Sequence, residues 1–145
     1  MIGLARPRDA ASMAQVLGGW IAETPWMPKL HTLDEDAWFC GHLIETSEVF
    51  VIRSLGVTGF LARSALEIPA LYLAPAQRGQ GLGKALLDRA KADRDRLELW
   101  TFQANTRAIA FYLREGFVED HRTTGDGNDE KLPDVRLIWS RKAAR

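Results

Sequence analysis

Gln77-Arg78-Gly79-Gln80-Gly81-Leu82-Gly83-Lys84 is a glycine-rich turn that follows an apolar, strand-like run and opens an amphipathic helix. Glycines at 79, 81 and 83 remove side chains that would hold a ligand off the backbone, and they permit the positive φ angles that aim successive N–H groups at one point. The helix that follows adds its unpaired first-turn N–H groups and the positive end of its dipole. This is chemistry for a phosphate group, with Arg78 and Lys84 beside it. Counting excludes two other phosphate motifs. A P-loop needs G-x-x-x-x-G-K-[ST], but Gly79 lies four residues before Gly83 and Lys84 is followed by Ala85; a dinucleotide fingerprint needs G-x-G-x-x-G, whereas the glycines here run G-x-G-x-G. The pattern that remains is R-x-x-G-x-G, from Arg78 to Gly83.

A second segment, Asn105-Thr106-Arg107-Ala108-Ile109-Ala110-Phe111-Tyr112-Leu113-Arg114-Glu115-Gly116-Phe117, follows at a fixed distance. Together the two resemble the paired motifs of the GNAT family of N-acetyltransferases: R-x-x-G-x-G, which that family uses for the diphosphate of acetyl-CoA, and N-x-x-A-x-x-F-Y-x-x-x-G-F. The resemblance runs from about Leu66 to Phe117. It implies an α/β (α+β) fold with a mixed, mostly antiparallel central sheet of about seven strands, helices on both faces and a splayed central parallel pair.

The resemblance also implies roles. Acetyl-CoA is the co-substrate, cradled by the backbone of Arg78, Gly79, Gln80, Gly81, Leu82, Gly83 and Lys84. A main-chain N–H near Tyr72 or Leu73 polarises the thioester, Asn105 caps its helix or bonds the pantetheine arm, and Tyr112 protonates the departing thiolate. Glu67, near the start of the strand before the turn, is the candidate general base, with His31 as the other candidate because an imidazole titrates near neutrality. Glu67 as an exposed strand residue and Phe111 and Tyr112 as ordinary packing residues are the alternatives. Trp26 and His31, in the loop between the first two helices, are candidates to border the acceptor.

The elements that must position these groups are legible in the pattern. Ile2 to Arg6 reads as a strand, with Pro7 as a break and Asp9 as a helix N-cap. Met13, Val16, Leu17, Trp20 and Ile21 form an apolar stripe at helical period, hence core. Pro25 and Pro28 force a loop, and Thr32-Leu33-Asp34-Glu35 is a capping box. The helix it opens is expected to bury Leu33, Ala37, Cys40 and Ile44. Glu48 to Ser54 and Val57 to Ser64 read as a hairpin turning at Leu55-Gly56, and Val49 to Ile52 is apolar on both faces, as in an inner strand. Leu66 to Ala74 is a strand bulged at Pro69. A helix from Leu82, a strand from Leu97 to Phe102, a helix ending at Gly116 and a closing pair, Phe117 to Thr123 with Val135 to Ser140, complete the order. Gly125 to Glu130 lacks calcium-loop spacing and is expected to be a mobile loop bordering the acceptor.

With 145 residues, 46% hydrophobic and 26% charged, the chain is expected to form one domain over 1–145 with a single core. A net charge of zero and the lack of a basic stripe with interleaved aromatics exclude a nucleic-acid-binding reading. One cysteine, an N-terminus without a signal pattern and no long apolar run point to a cytoplasmic protein without a membrane span. His42 and His121 have no metal-like spacing with Cys40, so no metal is assigned. The expectation is an N-acetyltransferase acting on a primary amine by direct attack in a ternary complex; a non-catalytic acyl-CoA-binding or partner-binding module on the same fold is the alternative. Exposed tryptophans and the terminal strand leave room for a homodimer.

Overall fold

A computed structural model describes residues 1–142. Its sheet is built from β1 (Ile2–Leu4), β2 (Glu48–Arg53), β3 (Val57–Ser64), β4 (Glu67–Leu73), β5 (Arg96–Phe102), β6 (Val118–Thr123) and β7 (Asp134–Ser140). The spatial order is β1-β2-β3-β4-β5-β7-β6. All neighbours are antiparallel except β4 and β5. The helices are α1 (Ala10–Glu23), α2 (Leu33–Thr46), α3 (Leu82–Lys91) and α4 (Thr106–Arg114).

Alternation in β2 explains its continuous apolar run. Val49 and Val51 pack with Met13, Leu17, Cys40 and Leu43 under α1 and α2, whereas Phe50 and Ile52 pack with Leu86, Leu87, Tyr112 and Phe117 under α3 and α4. A strand covered on both faces has no need of polar positions. The register slips by one residue between the Ala62–Ala70 and Ser64–Glu67 pairs, which places the extra residue on β4 beside Pro69. Proline has no ladder donor, and a bulge accommodates the missing bond.

Local signals at the helix ends hold in part. Thr32 Oγ1 accepts from Glu35 N at 3.1 Å while Glu35 Oε1 accepts from Thr32 N at 2.9 Å, the reciprocal capping box. Asn105 Oδ1 accepts from Ala108 N at 3.2 Å, and Gly116, with φ 94°, ends α4. Asp9, expected to cap α1, does not: its carboxylate is buried and accepts from the Arg53 guanidinium at 2.5 and 2.7 Å. That pairing holds its carboxyl below the usual carboxylate range. On α2 the expected Cys40 is buried and Ala37 and Ile44 pack partly buried against the core, whereas Leu33 is 52% exposed and Asp36 and Leu43 are buried beside them. The 125–133 segment, expected to be mobile, carries its own hydrogen-bond frame. Asn128 donates to Leu132 O at 2.8 Å and to Asp134 Oδ2 at 3.1 Å, and accepts from Leu132 N at 3.2 Å.

The β4–β5 contact positions everything that follows. These parallel strands share one register pair, Glu67–Glu98, with Glu98 N donating to Leu66 O at 2.8 Å. Two carboxylates directly across a strand pair repel, and Arg136 on β7 neutralises both, donating to Glu67 at 2.6 and 2.7 Å and to Glu98 at 2.8 Å. Arg136→Met is therefore expected to lower stability by about 1–2 kcal/mol, less than for a fully buried pair because Glu67 is partly exposed. Adding Glu67→Gln should recover part of the loss; urea denaturation of the single and double variants measures both.

Candidate active-site cleft

Beyond Glu67 the two strands part. Ala74 N donates to Thr58 O at 2.8 Å, so strand alternation turns the N–H of Tyr72 towards β3 as well and leaves those of Leu71 and Leu73 on the edge facing the gap. Of the two backbone donors suggested by sequence, Leu73 faces the gap and Tyr72 does not. Side chains alternate in the same way: Leu71 and Leu73 pack towards α3 and α4, Tyr72 towards α1 and α2. The gap opens into a cleft of about 770 Å³.

One wall is the glycine turn. A short 3₁₀ turn over Pro75–Gln77 leads into Gly79 (φ 75°) and Gly81 (φ 77°), which occupy the left-handed region. Gly83 is needed for space: a Cβ there would lie 3.4 Å from a Leu73 methyl and 3.6 Å from the Phe111 ring. The first helical bond of α3 runs from Ala85 N to Gly81 O, which leaves the N–H groups of Leu82, Gly83 and Lys84 outside the helical ladder. Nearby side-chain charges are already paired. Arg78 donates to Leu73 O at 2.9 Å and forms an ion pair with Glu23 of α1, tying the end of β4 to that helix. Lys84 meets Glu115 at 2.9 Å and Asp88 at 3.4 Å, and its bond to Glu115 raises its pKa. The turn thus offers backbone donors in a locally neutralised frame.

The opposite wall is α4. Asn105, Ala108, Phe111 and Tyr112 line the cleft, and Arg107 and Arg114 stand at its rim with no carboxylate partner among the described residues. Tyr112 is buried, its ring in edge contact with Phe111 and Phe117 at 5.2 and 5.3 Å. Its hydroxyl has no hydrogen-bond partner among the described residues. Burial, and then the neighbouring Tyr72 phenol, push its pKa far above that of a free phenol. Burial likewise pushes Tyr72 up to about 12. The roof comes from α1 and the following loop: Trp20, Glu23, Thr24, Pro25 and Trp26. Trp20, expected to be plain core, is half-buried and lines the cleft, because the last turn of α1 runs past the edge of the core.

The cleft therefore gathers Tyr72, Leu73, Arg78, Gly79, Gly81, Leu82, Gly83, Lys84, Asn105, Tyr112 and Trp26. Gln80 lies on the turn but points back, donating to Ala76 O at 2.8 Å. His31 is exposed beside Glu35 and does not line the cleft. Glu67 requires correction as a candidate base. It sits at the closed end of the strand pair, six residues and roughly 20 Å from Leu73, with its carboxylate held by Arg136. Sequence reasoning missed Trp20, Arg107 and Arg114; the last two stand seven apart on α4, which at helical period puts them on one face. No three His, Cys, Asp or Glu groups could hold a metal ion among the described residues, and no helix there is long and apolar enough to cross a membrane.

A sequence model of the acetyltransferase (GNAT) domain matches residues 45–119, from the end of α2 into β6 and across the whole cleft-forming unit. The chain belongs to the GNAT family. A peptidyl-lysine N-acetyltransferase, YjaB, of Salmonella typhimurium is 32% identical over 81 residues, 56% of each chain. An uncharacterized N-acetyltransferase of Methanocaldococcus jannaschii is 33% identical over 98 residues, 63% of this chain and 43% of its own. The matched stretches thus span about half the length of those relatives. Among solved structures, the apo form of YjaB from Escherichia coli superposes with a TM-score of 0.79 at 20% identity, covering 96% of both chains. The acetyltransferase yncA of Salmonella typhimurium, described as putative and solved with acetyl-CoA, gives 0.70 at 21% identity, over 97% of this chain and 92% of that one. Both share the fold of this chain.

The two tyrosines are the only ones in the chain, so their titration is directly visible. Phenolate absorbance near 295 nm should not develop in the folded protein around pH 10, where a free phenol is half ionised. Raised folded-state values leave stability intact below about pH 10 and erode it as pH climbs from there through about 12. Denaturation midpoints measured from pH 8 to 11.5 should therefore fall only on the alkaline side, together with tyrosine ionisation.

Proposed function

We propose that this GNAT domain transfers the acetyl group of acetyl-CoA to a primary amine by direct attack in a ternary complex, with Tyr112 as general acid. The observation that carries this reading is a continuous path in one cleft, from the first-turn N–H groups of α3 behind Gly79 and Gly81, past the gap-facing N–H of Leu73, to the Tyr112 hydroxyl, which has no partner among the described residues. The residues fit the co-substrate. Gly79 and Gly81 hold the positive φ a diphosphate cradle needs, and a Cβ at Gly83 would press on the channel wall at Leu73 and Phe111. The acetyl-CoA in yncA and the names of the matched relatives support the same reading.

Bound acetyl-CoA supplies a thioester, whose C–S bond breaks as the amine nitrogen forms the new C–N bond. The chain's residues then have separable tasks. Backbone N–H groups of 79–84 hold the diphosphate, and Arg107 and Arg114 add unpaired charge at the rim. Leu73 N–H donates to the carbonyl oxygen as negative charge grows there. Tyr112 gives its proton to the leaving sulfur and regains one from solvent. Its raised pKa makes that transfer harder against an ordinary thiol value near 8.5, but the desolvation that lifts the phenol also destabilises the thiolate and raises its proton affinity. The amine's surplus proton leaves to water, since neither Glu67 nor His31 lines the cleft. A Cys40 thiol buried and pushed up to about 12 stays out of the chemistry and suits the reducing cytoplasm we assign to the chain.

A non-catalytic acyl-CoA-binding module would need the cradle but not a phenol held without a partner beside the gap, which favours the enzyme. Titration calorimetry with acetyl-CoA decides the first half: wild type should bind and a folded Gly81→Glu variant should not. Tyr112→Phe should then bind acetyl-CoA as wild type does while kcat falls about 10²–10⁴-fold, the range for losing a general acid. Equal binding by Gly81→Glu, or an unchanged kcat in Tyr112→Phe, would overturn the respective assignment.

A further inference from the structure

The open edge of β4 carries dipoles of both signs. Along a strand the N–H and C=O of one residue point to the same side, and successive residues alternate. Tyr72 O turns towards β3, 3.3 Å from the place a Gly59 Cβ would take. Leu73 therefore presents its N–H and its C=O together to the gap. A thioester oxygen drawn to that N–H would meet the negative end of the Leu73 carbonyl beside it. Arg78 removes this conflict, because its Nη2 donates to Leu73 O at 2.9 Å.

The same nitrogen, Arg78 Nη2, forms the ion pair with Glu23 Oε1. It has two hydrogens and two partners, so Leu73 O and Glu23 together fix the guanidinium plane. Glu23 is the last residue of α1, a place that local physics disfavours for a carboxylate. A helix C-terminus is the negative end of the dipole, and the last turn of α1 holds no basic residue. Only the fold supplies its cation. The two side chains line the cleft and are 26% and 35% exposed for Arg78 and Glu23. Pairs this exposed add little stability, so what this one contributes is orientation. Without Glu23, the arginine is free to swing from the strand end towards an incoming diphosphate.

We infer that Glu23 is a positioning residue: through Arg78 it keeps the Leu73 carbonyl occupied, so that β4 offers the thioester oxygen a donor at Leu73 and no competing acceptor. This role rests on the reading of Leu73 N–H as the donor to that oxygen. Glu23 itself touches neither the thioester nor the amine. The arginine of the R-x-x-G-x-G segment thereby serves the strand end, and the diphosphate is left to the backbone of the glycine turn.

Acetyl-CoA isotopically labelled at the thioester carbonyl reports the donor directly, because a hydrogen bond to that oxygen lowers its stretching frequency. Infrared difference spectra should show the downshift in wild type and lose most of it in Glu23→Gln and in Arg78→Lys. Lysine keeps the charge but cannot grip two partners in one plane. Calorimetry on the same folded proteins should give dissociation constants for acetyl-CoA within about threefold of wild type, as expected for losing a partly exposed ion pair. A purely structural role would move affinity and thermal midpoint together and leave the carbonyl band of the bound fraction in place. A full downshift in Glu23→Gln overturns the inference. So does binding that tightens severalfold in Glu23→Gln with the band unchanged, since Arg78 then belongs to the diphosphate. The two readings separate cleanly: wild type that binds acetyl-CoA with no downshift sinks the Leu73 donor and this role with it, whereas a downshift that survives in both variants sinks this role alone.

Discussion

Everything in this structure depends on how β4 and β5 are held together at one end and apart at the other. At the closed end a single backbone pair and the Arg136 bridge to Glu67 and Glu98 join two strands whose facing carboxylates would otherwise repel. At the open end Arg78 draws the Leu73 carbonyl towards the glycine turn and Glu23, while α4 enters from the other side. A parallel pair that zipped along its whole length would use the Leu71 and Leu73 N–H groups in the ladder and leave no channel. Separation frees those donors, and the cost of unpaired backbone at a partly buried edge is acceptable where a polar ligand can take them up.

The electrostatics of the cleft follow the same economy. Arg78 and Lys84 are the charges a reader of the sequence would assign to a phosphate, yet both have carboxylate partners, and their first effect is to fix the turn. What remains directed at the cleft is the row of backbone N–H groups at the start of α3, whose geometry is set by φ angles and not by rotamers. Donors fixed in the backbone need little reorganisation to meet an anion. Tyrosine provides the opposite case. The Tyr112 ring is clasped by Phe111 and Phe117, and its hydroxyl has no hydrogen-bond partner among the described residues.

Much of this was legible in the sequence wherever the determining interactions lie within a few residues. The turn from Arg78 to Lys84, the Thr32–Glu35 capping box, the Asn105 cap and the Gly116 terminus each involve neighbours in the chain, so residue type and spacing were enough. The order of strands and helices and the two-sided burial of β2 followed from periodicity. Misreadings occurred where a distant partner intervened. Asp9 has the chemistry of a cap, but Arg53, forty-four residues away, captures it. Glu67 has the chemistry of a base, but Arg136, sixty-nine residues away, occupies it. On α2 only Leu33 departs from the expected face, because it stands in the first turn, where the helix emerges into solvent.

The sequence by itself determined the element order, the positive-φ conformation of the glycine turn and the family to which the chain belongs, because motif spacing and local backbone conformation are properties of short segments. Tertiary structure alone decided which donor faces the gap, which charges are already neutralised and that Trp20, Trp26, Tyr72 and Phe102 meet in one aromatic cluster. Those outcomes depend on where separate segments converge in space, and no spacing along the chain encodes the distance between Trp26 and Phe102.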